Sequence, residues 1–168
     1  LFRSLSMWDG VCQFGLSQAK QHARFDDMVH LLSAYPEVTP PGYRDQCFFR
    51  WLAFDVIAKQ VGPILLLDYD VFPQPDVEFE LFADLFNRPT VLNYTNPCAV
   101  FLPDSGVLSH IVEMLFMPTV PNNEPSGLHV GDNTVFSQHW CDIGDTADLV
   151  SEYPCQAKQL LHFANRCC

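Results

Sequence analysis

Positive charge is scarce in this chain: Lys and Arg number 9 against 20 Asp and Glu, a net charge of -11. That imbalance argues against a protein that grips nucleic-acid backbones through a basic surface. An anionic ligand would have to be held by local positive charge or by a metal ion. Long apolar runs are missing too, and none approaches the ~20 residues of a membrane helix, so no transmembrane segment is expected. No secretory signal is evident, and a chain opening on Leu1 is expected to be a fragment or a processed form. The seven cysteines (Cys12, Cys47, Cys98, Cys141, Cys155, Cys167 and Cys168) contain no C-x-x-C, so a zinc ribbon or thioredoxin-type site has no support. Cys47 and Cys98 lie in apolar segments and are expected as buried reduced thiols. A disulfide among Cys141, Cys155 and the terminal pair is the alternative, and it needs an oxidising compartment.

Apolar residues are plentiful. They make up 48% of 168 residues, with 14 Phe, enough for one domain spanning 1–168 with a proper core. Ser17 to Ala34 reads as one helix capped by Ser17, with Phe25, Met28, Val29 and Leu32 on one face. After a Pro-rich loop, a second helix is expected from about Asp45 to Lys59. Gly62-Pro63 stops it. Ile64 to Leu67 then predicts a buried central strand. Downstream the pattern predicts a short helix near Glu78 to Phe86, strands over Thr90 to Tyr94 and Cys98 to Leu102, and a helix over Ser105 to Met117. Pro118 to Gly131 is a loop long enough to be functional. A helix capped by Asp132 follows to about Trp140, and a short helix is expected near Gln156 to Phe163. Helices alternating with strands around a buried strand indicate the α/β class.

The chemistry concentrates where that strand ends, in Asp68-Tyr69-Asp70. Period-2 alternation sends both carboxylates to one side. Two anions held together repel unless one is protonated or a cation sits between them. A divalent metal resolves the conflict and can in turn hold phosphates.

Cys47-Phe48-Phe49-Arg50-Trp51-Leu52-Ala53, followed by Leu65-Leu66-Leu67-Asp68-Tyr69-Asp70-Val71-Phe72, resembles the centre of glycosyltransferases of the GT-A fold. In that family a helix carrying an Arg precedes a strand ending in Asp-x-Asp. Val91-Leu92-Asn93, Pro97 to Phe101 and the helix from Ser105 are similar to the strands and acceptor-side helix that follow the motif. His129 to Phe136 resembles the late segment in which an acidic residue opens a helix near the acceptor. The likeness covers about 45–139. It implies a mixed central sheet flanked by helices, Mn²⁺ or Mg²⁺ as cofactor, a nucleotide-diphosphate sugar as donor, and a carbohydrate or glycoconjugate as acceptor. The compartment is left open between cytoplasm and Golgi lumen.

Carried over residue by residue, the resemblance makes Asp70 a direct metal ligand and Asp68 a contact to the donor ribose or a metal-bound water. Arg44 and Arg50 become diphosphate contacts, since a guanidinium fork suits phosphate oxygens; a solvated Arg50 is the ordinary alternative. Asp132 is implied in acceptor binding or as the base that deprotonates its hydroxyl, against a plain helix cap. A late His, His139 or His162, is the option for a third metal ligand. One departure stands out. The family places a nucleotide-binding βαβ region before the motif, and here only Leu1 to Leu67 precede it, which implies a minimal or truncated base pocket.

The same residues also parse as a haloacid-dehalogenase-type phosphatase, with Asp68 as nucleophile and Asp70 as general acid. Against that, Phe72 replaces the usual Thr, and no Lys or Arg lies between Thr95 and Asp132 to neutralise the transferred phosphoryl group. A metal-binding or inactive carbohydrate-binding module, using Trp8, Trp140 and Tyr153, is a third possibility.

Overall fold

A long helix, Tyr43–Val61, organises the molecule, and most other helices pack against it. The computed structural model describes residues 15–35, 42–68, 71–74, 77–93, 97–124, 127–142, 144, 146–150 and 159–163. In chain order the helices are α1 (Leu16–Ala19), α2 (Phe25–Ser33), α3 (Tyr43–Val61), α4 (Glu80–Leu85), α5 (Gly106–Met114) and α6 (Asp132–His139). The strands are β1 (Ile64–Leu67), β2 (Val71–Pro73), β3 (Thr90–Leu92), β4 (Ala99–Leu102), β5 (Asn122–Glu124), β6 (Gly127–His129), β7 (Asp148–Val150) and β8 (Leu161–Phe163). The class is therefore mixed α/β. Among the described residues, no helix is long and apolar enough to cross a membrane.

The main sheet runs β1-β4-β3-β7, with β4 antiparallel to both β1 and β3, and β7 parallel to β3. Both faces of this sheet are covered, which explains the unbroken apolar strands. On one face Leu66, Val91, Val100 and Leu102 pack against Phe48, Trp51 and Leu52 of α3 and Leu108 and Ile111 of α5. On the other, Leu65, Leu67, Leu92, Ala99 and Phe101 meet Val71, Phe82, Phe86 and Leu161. Successive residues along β1 and β4 thus serve alternate cores.

Several expectations need correction. Ile64–Leu67 is a strand, but it lies at the sheet's edge among the described strands rather than at its centre, and only Leu66 is fully buried. A run that is apolar on both faces reports covered faces; it says nothing of how many neighbours the strand has. The expected helix from Ser17 to Ala34 is broken in two. At the break, His22 Nδ1 accepts the Arg24 backbone N–H (3.1 Å), a local side-chain bond that competes with helix continuation. Ser17 is not the cap: α1 begins after Gly15, whose N–H donates to Gln18 Oε1 (2.9 Å). Near the carboxyl end, Leu161–Phe163 is a strand paired antiparallel to β2, not a helix. The loop after Pro118 contains the antiparallel hairpin β5–β6, which delivers the chain to α6.

Glycines at φ +76 (Gly42) and φ +79 (Gly62) bracket α3. Glycine adopts positive φ without a Cβ penalty, so Gly62 lets the chain leave the helix and enter β1 within two residues.

Candidate functional site

Three residues on one face of α3, Cys47, Arg50 and Trp51, have the i, i+3, i+4 spacing that groups side chains on a helix. That face is turned toward the end of β1 and the start of α6. Phe54, one turn on, packs edge-on against Trp51 (5.5 Å, 86°), and Phe136 of α6 lies 5.2 Å from the same indole. The aromatic contacts lock Trp51, and the guanidinium beside it is only 18% exposed.

Arg50 is the hub. Its Nε and Nη2 donate to Asp132 Oδ2 (3.1 and 2.5 Å), 82 residues away in sequence. Its Nη1 donates to Asp68 Oδ1, and its Nη2 also reaches the Pro97 carbonyl (2.9 Å). The Trp51 indole N–H is a third donor to Asp132 Oδ2 (2.8 Å). Asp132 Oδ1 meanwhile accepts the Asn133 N–H (2.9 Å) in the first turn of α6, where backbone dipoles favour an anion. The Asp132 carboxylate is almost wholly buried and engaged at both oxygens.

Backbone bonds place Asp68. Its N–H extends the ladder to the Cys98 carbonyl (2.9 Å), and its carbonyl accepts the Val71 N–H (3.0 Å) in a tight turn. Asp68 thus leaves β1 pointed at α3, next to Pro97 at the start of the β4 segment. Burial works against the Arg50 charge, but the Asp132 and Asp68 carboxylates and the hydrogen bond to Asp68 outweigh it and raise the guanidinium above its ordinary value. Among the described residues, one guanidinium faces two carboxylates.

Cys47 borders the same cluster. Burial, then the Asp132 carboxylate, push its thiol up to about 12, against the lowering influence of Arg50 and of a hydrogen bond with Tyr43. The thiolate is the reactive form, so Cys47 should resist alkylation at pH 8 while the exposed Cys141 labels readily. Peptide-resolved iodoacetamide mapping of the native protein checks this, and comparable rates at the two positions would contradict it. Cys47 and Cys141 carry free thiols.

Of the positions singled out from sequence, Arg50, Asp68 and Asp132 are brought together. Arg44 is placed elsewhere. It lies in the first turn of α3, about 9 Å back along the helix at 1.5 Å per residue, with Nη1 on the Tyr35 carbonyl (3.1 Å) and Nη2 on Asp45 (2.9 Å). His139 ends α6, about 10 Å of helix beyond Asp132, and its Nε2 donates to the Pro118 carbonyl (2.9 Å). The register of β8 pairs His162 with Phe72. Asp70, together with Tyr94 to Asn96, Trp8 and Tyr153, lies outside the described residues. Among the described residues, no group of three or more His, Cys, Asp or Glu side chains could hold a metal ion. Sequence reasoning missed Trp51 as a functional partner, although a buried indole N–H needs an acceptor.

A second polar cluster lies further along α3. Asp55, 1% exposed, accepts from His22 Nε2 (3.0 Å), Lys59 Nζ (2.5 Å) and Ser109 Oγ (3.2 Å). It sits beside a groove of about 450 Å³ lined by residues of α3, α5 and the α1–α2 turn. His22 Nδ1 accepts the Arg24 N–H, so both ring nitrogens are engaged. This cluster ties helices together.

No protein family, curated protein or solved structure matches the chain.

Proposed function

We propose that this chain is a GT-A-type, metal-dependent glycosyltransferase domain that moves a sugar from a nucleotide-diphosphate donor to an acceptor hydroxyl. The observation that carries the reading is the convergence of Arg50, Asp68 and Asp132 from three separate segments on one point. These are the helix before the acidic strand, the strand end, and the helix after the late hairpin. In this reading Arg50 contacts the diphosphate, Asp68 with Asp70 holds the donor side, and a bound Mn²⁺ or Mg²⁺ would supply Lewis-acid stabilisation of the leaving group. The bonding of Asp132 favours a role in which it orients Arg50 and shapes the acceptor side over one as a free base. Phe72 in place of Thr, and the lack of any Lys or Arg between Thr95 and Asp132, favour this reading over a phosphatase.

Thermal unfolding with Mn²⁺ plus nucleoside diphosphate tests it. At ligand concentrations about 100-fold above Kd, stabilisation is about 2.7 kcal/mol, a rise in midpoint of about 5–10 °C for a domain of this size. The rise should require the metal and should not occur with phosphomonoesters. Asp70→Asn should abolish it, and with it metal-stimulated sugar transfer, while leaving the melting temperature of the unliganded protein unchanged. No response to any metal–nucleotide pair, or rapid phosphomonoester hydrolysis, sinks the proposal.

A further inference from the structure

We infer that His22 is a pH-operated fastener of the turn between α1 and α2: the neutral ring holds the turn closed through Nδ1, and protonation opens the turn while the contact to Asp55 stays made.

A backbone N–H can only donate, so the Arg24 N–H fixes Nδ1 of His22 as an acceptor (3.1 Å). The proton of the neutral ring is then on Nε2, which donates it to Asp55 Oδ2 (3.0 Å). Only this tautomer satisfies both neighbours. A second proton has nowhere to go but Nδ1, where it meets the Arg24 N–H head-on, and that bond must break. Nε2–H remains a donor in either charge state. The ring therefore stays docked on α3 while the turn comes free.

The charged groups around the ring suit such a change. From α3, Asp55 faces Nε2 and Lys59 shares the same carboxylate oxygen; from α5, Glu113 lines the adjoining groove. From the chain's own turn, Lys20 is exposed, and Arg24 is tied to Glu113 and to Asp27 of α2. The Asp55 carboxylate is 1% exposed and in direct contact, and a bond to it strengthens when the ring is charged. Lys59 is far more exposed and offsets less of this.

The opened turn also has room. Gln21 and Ala23 are exposed, so a freed Arg24 N–H meets water. Residues Gln21 to Arg24 form one wall of the groove of about 450 Å³ beside α3 and α5. Beyond the ring, that wall is attached through the Arg24 side chain, with Nη1 on Glu113 and the guanidinium 3.5 Å above the Phe116 ring. Acidification thus shifts one wall of the groove.

The test follows the whole ¹⁵N-labelled chain by NMR from pH 8 to pH 5, the interval in which histidine changes charge. The His22 ring nitrogens report tautomer and protonation, and the Arg24 amide reports exchange relative to its intrinsic rate at each pH. The expected result is an Nε2–H tautomer at pH 8 and, with the midpoint of ring protonation, a loss of Arg24 protection of about fivefold or more, the equivalent of one hydrogen bond. His22→Asn supplies an acceptor oxygen near the Nδ1 position and does not titrate, so its Arg24 amide should stay protected throughout. His22→Gln lacks an acceptor there, and its Arg24 amide should be unprotected already at pH 8. A ring that stays neutral down to pH 5, a protonated ring with Arg24 still protected, or a pH step that persists in His22→Asn overturns the inference. The parent's titration decides the matter even if a variant fails to fold. No metal or nucleotide is present, so the outcome is independent of the transferase reading.

Discussion

Asp132→Ala is expected to lower stability by about 3 kcal/mol and the melting temperature by about 6–12 °C. The substitution strips Arg50 of two hydrogen bonds and leaves the Trp51 indole N–H without its acceptor. Removing one partner of a buried ion pair typically costs about 3–5 kcal/mol, and the lower end applies because Asp68 still faces the guanidinium. Asp132→Asn keeps one carbonyl oxygen in place but loses the charge, so about half the effect is expected. Urea denaturation with both variants measures the pair of values. A loss under about 1 kcal/mol for alanine would show that the hub is not what holds α6 to α3. The same series separates two roles for this residue. A free catalytic base replaced by Asn would leave stability intact, whereas an orienting carboxylate would not.

The second large effect lies at Asp55. Asp55→Ala should cost about 2–3 kcal/mol, since it strips the nearly buried His22 Nε2–H of its charged acceptor. Lys59 contributes little of this. Its side chain is 56% exposed, and an i, i+4 pair of that kind is worth about 0.3–0.5 kcal/mol. Lys59→Met is therefore the control: a shift under about 0.5 kcal/mol is expected there, with the alanine variant losing several-fold more. Amide exchange in Asp55→Ala should rise first around residues 20–24, where His22 no longer pins the turn between α1 and α2. Equal losses in the two variants would place the stability in the surface ion pair instead.

Much of the local structure could be read from the residues. Helix α3 follows from the recurrence of Phe48, Leu52 and Val56, and its end from Gly62. The aliphatic run of β1 is a strand because four bulky residues between a glycine-proline stop and an aspartate suit little else. The hairpin Asn122–His129 and the strand Leu161–Phe163 escaped because each is three residues to a side. Segments that short are set by a pairing partner and carry too little periodicity to announce themselves. For β8 the partner is β2, on the far side of the sequence, and no local pattern reports it.

The carboxylates beside β1 show the same division. By itself, the sequence determined that Asp68 closes an apolar strand and that Arg50 and Asp132 are the other charged positions worth watching. Those follow from residue type and from the apolar run that stops at Asp68. Only the tertiary structure decided that the cation facing Asp68 is Arg50, that the same guanidinium also binds Asp132, and that Trp51 completes the set. Arg44 was an equal candidate on chemistry. It is excluded from the cluster because six residues of helix turn it to another face and carry it about 9 Å away. Which charges meet is a matter of helix phase and packing across 82 residues of chain, and those are fixed by the burial of α3 against the sheet.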